Sequence, residues 1–245
     1  MCFYRIYFLY LNLLNIYLSQ PCRICFILRK RGVIKMRKSV YRDIVLVKNK
    51  VILIHVPKVA GSAISKSLNI KRTTHFHLTV YEREDRAKFQ EFFKIGFVRN
   101  PWDRLVSAYF YLKNGGMKNK YDRYMENKLS SFNSFHDFVY SLDSNNQFKN
   151  VIMNETHFKP QYKYLINKNG ELAMDYIGTF ENLEEGFNIL KERLNKPEAV
   201  LSKFNLSNHN PYWEYYDEKM IEIVGAIYEK DIELFNYKFP FNRLL

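Results

Sequence analysis

The fold class the sequence predicts is an α/β domain with a central, mainly parallel sheet flanked by helices. Two apolar runs, Val51–Val56 and Lys94–Val98, each lead through a turn into a helical stretch. A third short run, Tyr176–Phe180, precedes the helix-patterned segment Leu183–Leu194. Apolar strands that alternate with helices are the pattern of a parallel sheet buried on both faces. The 245 residues, 47% of them apolar, suffice for one good-sized domain. No repeat at solenoid or propeller spacing is present.

In chain order, the β-branched runs Asp43–Val47 and Val51–Val56 flank Lys48-Asn49-Lys50 and read as a hairpin or two neighbouring strands. Pro57-Lys58-Val59-Ala60-Gly61-Ser62-Ala63-Ile64 follows, with a helix to about Leu68. A further helix is expected from about Tyr81. After Lys94–Val98, Asn100 is an N-cap, Pro101 takes the first helical position, and Asp103 suits the helix dipole. Trp102, Leu105, Val106 and Tyr109 form its core stripe. Residues 113–150 are polar and irregular, with one helix near Phe135–Leu142, an insertion of the kind that commonly carries binding specificity. Glu214–Phe235 reads as one long amphipathic helix with Met220, Ile221, Val224, Ile227 and Tyr228 on its buried face.

The net charge is +13, and the first 35 residues hold six Lys or Arg and no acid, which leaves +7 on residues 36–245. That balance admits an anionic ligand without selecting one. All three cysteines (Cys2, Cys22, Cys25) precede residue 26, so the body uses no disulfide and suits a reducing compartment. Cys22 and Cys25 form a CxxC without the second pair that a zinc site needs.

Residues 1–35 stand apart from residues 36–245. Phe3–Leu18 is shorter than the ~20 apolar residues of a membrane span and lacks the order of a signal peptide. Arg31-Gly-Val-Ile-Lys35 ahead of Met36 reads as a translated bacterial ribosome-binding site, with the true start at Met36. A cytoplasmic protein is then expected. If residues 1–35 are genuine, they are a weak membrane anchor.

The turn after Val51–Val56 has the chemistry of an anion cradle. Backbone N–H groups at a helix start converge on one point, with the helix dipole behind them. Gly61 allows close approach, Ser62 caps the helix and donates, and Lys58 adds a cation; Ala60 and Ala63 complete the small-residue turn. A plain strand-turn-helix with a surface lysine is almost as good an account of this segment alone. It is not a Walker A loop, in which the lysine follows the second glycine. The second junction sets Arg99 at a strand end and Ser107 about two turns along the following helix, so both can meet one anion. Alternatively, Arg99 pairs with a carboxylate and Ser107 is an ordinary helical residue.

Together these segments resemble the PAPS-dependent sulfotransferases, in particular the carbohydrate sulfotransferases. His55-Val-Pro-Lys58-Val-Ala-Gly-Ser62 resembles their 5′-phosphosulfate loop, and Phe97-Val-Arg99-Asn-Pro-Trp-Asp-Arg104-Leu-Val-Ser107-Ala-Tyr109 their 3′-phosphate motif. The likeness continues in His157-Phe-Lys-Pro-Gln161, Asp175–Leu183 and Tyr212–Phe239, and covers residues 44–240. One departure is Val59, where the family usually has threonine.

The resemblance implies a P-loop-type, three-layer domain that takes PAPS as donor and needs no metal. Lys58 would stabilise the leaving phosphate, Arg99 and Ser107 would hold the 3′-phosphate, and Ser207 lies in the late nucleotide-contacting loop. It also implies a histidine base between the two phosphate motifs. His75 and His77 alternate, and so share a face if that segment is extended. His77 is the better match to the family's base, His75 is second, and His157 competes or binds the acceptor. His55 and His209 are taken as structural.

The acceptor expected is a carbohydrate or glycoconjugate hydroxyl, with no nucleic acid. Membrane association would come only through residues 1–35. The rivals are a P-loop nucleotide kinase or NTPase, disfavoured by the missing Walker lysine, and a non-enzymatic basic polyanion-binding module.

Overall fold

In the computed structural model, the described residues are 39–71, 74–202 and 209–241. Among the described residues, three short strands build the sheet in the order β1-β2-β3: β1 (Val51–Ile54), β2 (Phe93–Val98) and β3 (Tyr176–Thr179). Both pairings are parallel, with Leu53 opposite Ile95 and Phe97 opposite Gly178. β1 is buried throughout, as its unbroken apolar sequence requires. Helices flank the sheet, as expected from the strand-helix alternation.

Before the sheet, α1 (Ile44–Lys48) corrects the strand expected over Asp43–Val47. Its β-branched residues are overridden by a cap. Asp43 accepts from Leu46 N through Oδ1 at 3.0 Å and from Lys71 N through Oδ2 at 2.7 Å. Only Leu46 of the helix is buried, and Ile44 is 73% exposed. α2 (Gly61–Ser67), α3 (Leu78–Glu84) and α4 (Arg86–Glu91) lie between β1 and β2.

α5 (Pro101–Lys113) follows β2 as the sequence implied. Asn100 Oδ1 accepts from Trp102 N at 3.1 Å, and Trp102, Leu105, Val106 and Tyr109 are buried. The insertion expected to be irregular is largely helical: α6 (Lys120–Leu129), α7 (Phe135–Ser144) and α8 (Asn146–Asn154). Polar exposed faces hide sparse anchors such as Met125, Leu129, Phe138 and Ile152, which join the core of α5. Side-chain caps from Asn119, Ser134 and Asn145 start these three helices.

α9 (Tyr162–Leu165) leads to β3, and α10 (Leu183–Arg193) follows it. The single helix expected over Glu214–Phe235 is three pieces: a 3-10 turn (Tyr212–Tyr215), α11 (Glu218–Ile227) and α12 (Glu229–Phe235). Asp217 caps α11 by accepting from Met220 N at 2.7 Å, and the chain breaks at Tyr228, whose hydroxyl donates to Phe158 O at 2.6 Å. Two apolar clusters result. One surrounds the sheet, and the other joins α5, α7 and α11. Val40–Leu245 is a compact unit. Residues 1–35, read as a mis-assigned start or weak anchor, and Ser207, read as nucleotide-contacting, lie outside the described residues. Among the described residues, no helix is long and apolar enough to cross a membrane.

Candidate active site

Because the three strands are parallel, their C-terminal ends share one edge of the sheet. His55–Gly61 leaves β1 there, Arg99–Asp103 leaves β2, and Phe180–Glu181 leaves β3. These segments line one cleft of about 1200 Å³. A crevice outside the carboxyl ends of parallel strands is where open α/β sheets bind ligands.

The loop after β1 is tightly wound, with Lys58 at φ 69° and Ala60 at φ 63°, both left-handed without being glycine. Ala60, not Ser62, is the N-cap of α2, and no side chain caps it. The expectation that Ser62 caps is thus corrected: Ser62 lies inside the first turn, where its N–H is one of the group without an intrahelical acceptor. Gly61 is required by a neighbour. A Cβ there would lie 2.0 Å from His55 Nε2, so the His55 ring rests directly against the loop. His55, taken from the sequence as structural, lines the cleft.

Lys58, Ala60, Gly61, Ser62 and Ala63 all line the cleft, and so do Arg99 and Ser107. The two sequence motifs therefore meet. Lys58 Nζ sits 3.9 Å above the Tyr111 ring, and no carboxylate pairs with it among the described residues. Burial, then the nearby Arg99 guanidinium, lower its pKa from 10.5 to about 8, while the Asp122 carboxylate opposes them.

Arg99 pairs with a carboxylate, which was the alternative reading of the sequence. Its Nε donates to Asp103 Oδ2 and its Nη2 to Asp103 Oδ1, both at 2.7 Å. Nη1 donates to Lys58 O at 3.2 Å, and the guanidinium lies 4.0 Å above the Phe180 ring. Of its five N–H donors, two remain for an anion. Asp103 thus orients the fork as well as standing in the first turn of α5.

The histidines are divided. His75 lines the cleft, its ring 4.4 Å from His55 and 5.7 Å from His157. His75 Nδ1 is 2.9 Å from His55 O. A carbonyl only accepts, so the neutral ring carries its proton on Nδ1 and leaves Nε2 basic. His157 also lines the cleft; it is buried, and its Nδ1 lacks a hydrogen-bond partner among the described residues. Burial foremost, then His75 and Lys58, hold its pKa well below 6.5.

His77, the first choice as base from the sequence, is not among the residues lining the cleft. It precedes α3, its ring 4.5 Å from Tyr164, and burial and then Lys159 lower its pKa. The segment is not extended. Phe76 N donates to Thr74 O at 2.8 Å, a three-residue turn that breaks the alternation expected to put both histidines on one face.

The motif His157–Gln161 supports the cleft from behind. Arg104, 1% exposed, donates to His157 O at 3.0 Å and to Lys159 O at 2.9 Å. Asp231 accepts from Gln161 N at 2.7 Å and Tyr162 N at 2.8 Å. Glu181 accepts from Asn100 N at 2.7 Å, which ties the end of β3 to the start of α5. Tyr111 and Asp122 were not found from the sequence, where an aromatic or acid at a helix position reads as core or solvated face, and Phe180 was read only as the end of a strand within a family-like segment. Among the described residues, no group of three or more His, Cys, Asp or Glu could hold a metal ion.

A parallel α/β domain with two cationic strand-to-helix junctions on one cleft can hold a ligand with two separate anionic groups. Residues 43–238 match the model of the "Sulfotransferase family", and the chain belongs to this family. An uncharacterized protein of Archaeoglobus fulgidus is 30% identical over 134 residues, covering 54% of this chain and 92% of its own length. None of the solved structures matches significantly.

Proposed function

We propose that the protein transfers a sulfuryl group from PAPS to a hydroxyl of a carbohydrate or glycoconjugate. The observation that carries this reading is the meeting of Lys58, Arg99 and Ser107 with His75 and His157 around one cleft. Its volume of about 1200 Å³ accommodates a nucleotide and part of an acceptor together.

In this reading the loop from Ala60 to Ala63 cradles the 5′-phosphosulfate with its backbone N–H groups. Arg99 and Ser107 take the 3′-phosphate, Arg99 through the two donors that Asp103 and Lys58 O leave open. The acceptor oxygen attacks sulfur as the bond from sulfur to the bridging phosphate oxygen breaks. The negative charge that develops on that oxygen is met by the Lys58 ammonium. The acceptor proton passes to Nε2 of His75, the nitrogen left basic by the bond from Nδ1 to His55 O. His157 is the second candidate for this proton, or an acceptor ligand through Nδ1. His77 is the least supported of the three.

Calorimetric titration of the full chain with PAP, beside ATP, tests the donor site. PAP binding well above ATP binding, and weakened in Arg99→Ala, is expected. A folded protein that binds polyanions but not PAP would overturn the reading in favour of a binding module, and ATP-dependent phosphate transfer in favour of a kinase.

A further inference from the structure

The turn after α5 is wrapped around one buried carboxylate. Asp122, in the first turn of α6, is 1% exposed. Its Oδ2 accepts from Asn119 Nδ2 at 2.7 Å, from Met117 N at 2.8 Å and from the Tyr111 hydroxyl at 3.3 Å. Asn119 Oδ1 accepts in return from Asp122 N at 2.9 Å. Gly116, at φ 52°, donates its N–H to Tyr111 O at 2.9 Å, and a Cβ on it would lie 2.7 Å from Asp122 Oδ2. The end of α5, the turn and the start of α6 are therefore closed on a single oxygen atom.

Tyr111, held by that oxygen, has two further neighbours. One is the Lys58 ammonium, 3.9 Å from the ring centre. The other is the His157 ring, 5.3 Å away. Tyr121, next to Asp122 in the chain, stacks on His157 at 5.7 Å. A lysine side chain has four rotatable bonds, and a desolvated ammonium gains most from a π face it can sit on. The place of the ring therefore decides the place of the charge.

We propose that Asp122 is a positioning residue of the cleft: by fixing Tyr111 and the turn 114–119 it sets where the Lys58 ammonium stands. The meaning of this for catalysis rests on the sulfotransfer reading, but the geometry does not. Several groups face Lys58: Arg99 from the end of β2, Tyr111 from α5, Asp122 from α6 and His157 from the segment after α8, with His55 and His75 in the same cleft. Arg99 disfavours the charged amine and Asp122 favours it. Loss of either Asp122 or the Tyr111 ring therefore favours the neutral form.

The test is pH-dependent acetylation of Lys58 by acetic anhydride, read by mass spectrometry on the full chain. Wild type, Asp122→Asn and Tyr111→Leu are compared, with folding checked by circular dichroism. Only the neutral amine reacts, so both variants should label Lys58 roughly threefold more at pH 7. In transfer assays the alkaline limb of kcat should move to lower pH, whereas a merely structural loss lowers the amplitude and leaves the limb in place. Unchanged labelling of Lys58 in folded Asp122→Asn overturns the proposal. Should that variant not fold, unchanged labelling in Tyr111→Leu does so. Labelling needs no nucleotide, so a failed PAP titration would refute the sulfotransfer reading and leave this result standing.

Discussion

Gln161 holds Arg99 by both of its backbone groups: the side-chain Nε2 donates to Arg99 O at 2.8 Å, and Oε1 accepts from Arg99 N at 2.9 Å. The amide acts as one more rung of a strand ladder, placed just past the end of β2. Gln161 is fully buried, and Asp231 secures its own N–H. Arg99, proposed to take the 3′-phosphate, is thus fixed from 62 positions away in the chain.

Gln161→Leu removes both hydrogen bonds and leaves a buried donor and acceptor unsatisfied. At ~1–3 kcal/mol for each orphaned group, a loss of about 2–6 kcal/mol in urea unfolding is expected. PAP affinity should fall with it, because the Arg99 fork loses its register. Unchanged stability would mean that the backbone finds other partners.

Lys58 is active in the proposed chemistry as the ammonium, and its pKa is lowered to about 8. The Lys58 contribution to activity should therefore be full below that pH and be lost as pH rises through about 8, while the histidine base must itself be neutral to act. Lys58→Arg should keep activity at higher pH, since a guanidinium does not titrate there. Lys58→Ala should lower kcat by roughly 10²–10³-fold and abolish the limb. A limb that persists in Lys58→Ala belongs to another group. For stability, the lowered amine pKa acts in the opposite sense to activity: the charged form is disfavoured in the fold, so the cost is present below about 8 and fades as pH rises toward 10.5.

The two histidines of the turn should separate cleanly. His75→Ala is expected to lose roughly 10²-fold or more in kcat with PAP binding retained. His77→Ala should lose less than about tenfold in kcat, since its ring packs on Tyr164 rather than lining the cleft. The reverse order of effects in single-turnover assays would return the role of base to His77.

Gly61→Ala places a methyl group where the His55 ring lies, 2.0 Å from Nε2. The ring or the loop must move, and PAP affinity should fall. His55→Ala with Gly61→Ala should recover much of it, since the clash is pairwise. Failure of the double variant to recover would mean that Gly61 serves the loop by its backbone freedom alone.

Strand and helix periods are local, and the sequence by itself determined them well. The apolar runs at Val51 and Lys94, the cap and proline at Asn100-Pro101, and the stripe from Trp102 to Tyr109 were legible because burial repeats at the backbone period. The segments around Lys58 and Arg99, which line one cleft, are likewise local, because each is built from neighbouring residues.

Where a single side chain points was not legible. A cap at Asp43 turned a β-branched run into a helix, and a three-residue turn at Thr74 sent His75 into the cleft without His77. Gln161, Tyr111 and Asp122 gained their roles only when distant segments met. Each rests on particular hydrogen bonds or contacts of single side chains and backbone groups, and such interactions leave no period in the chain. Tertiary structure alone decided it.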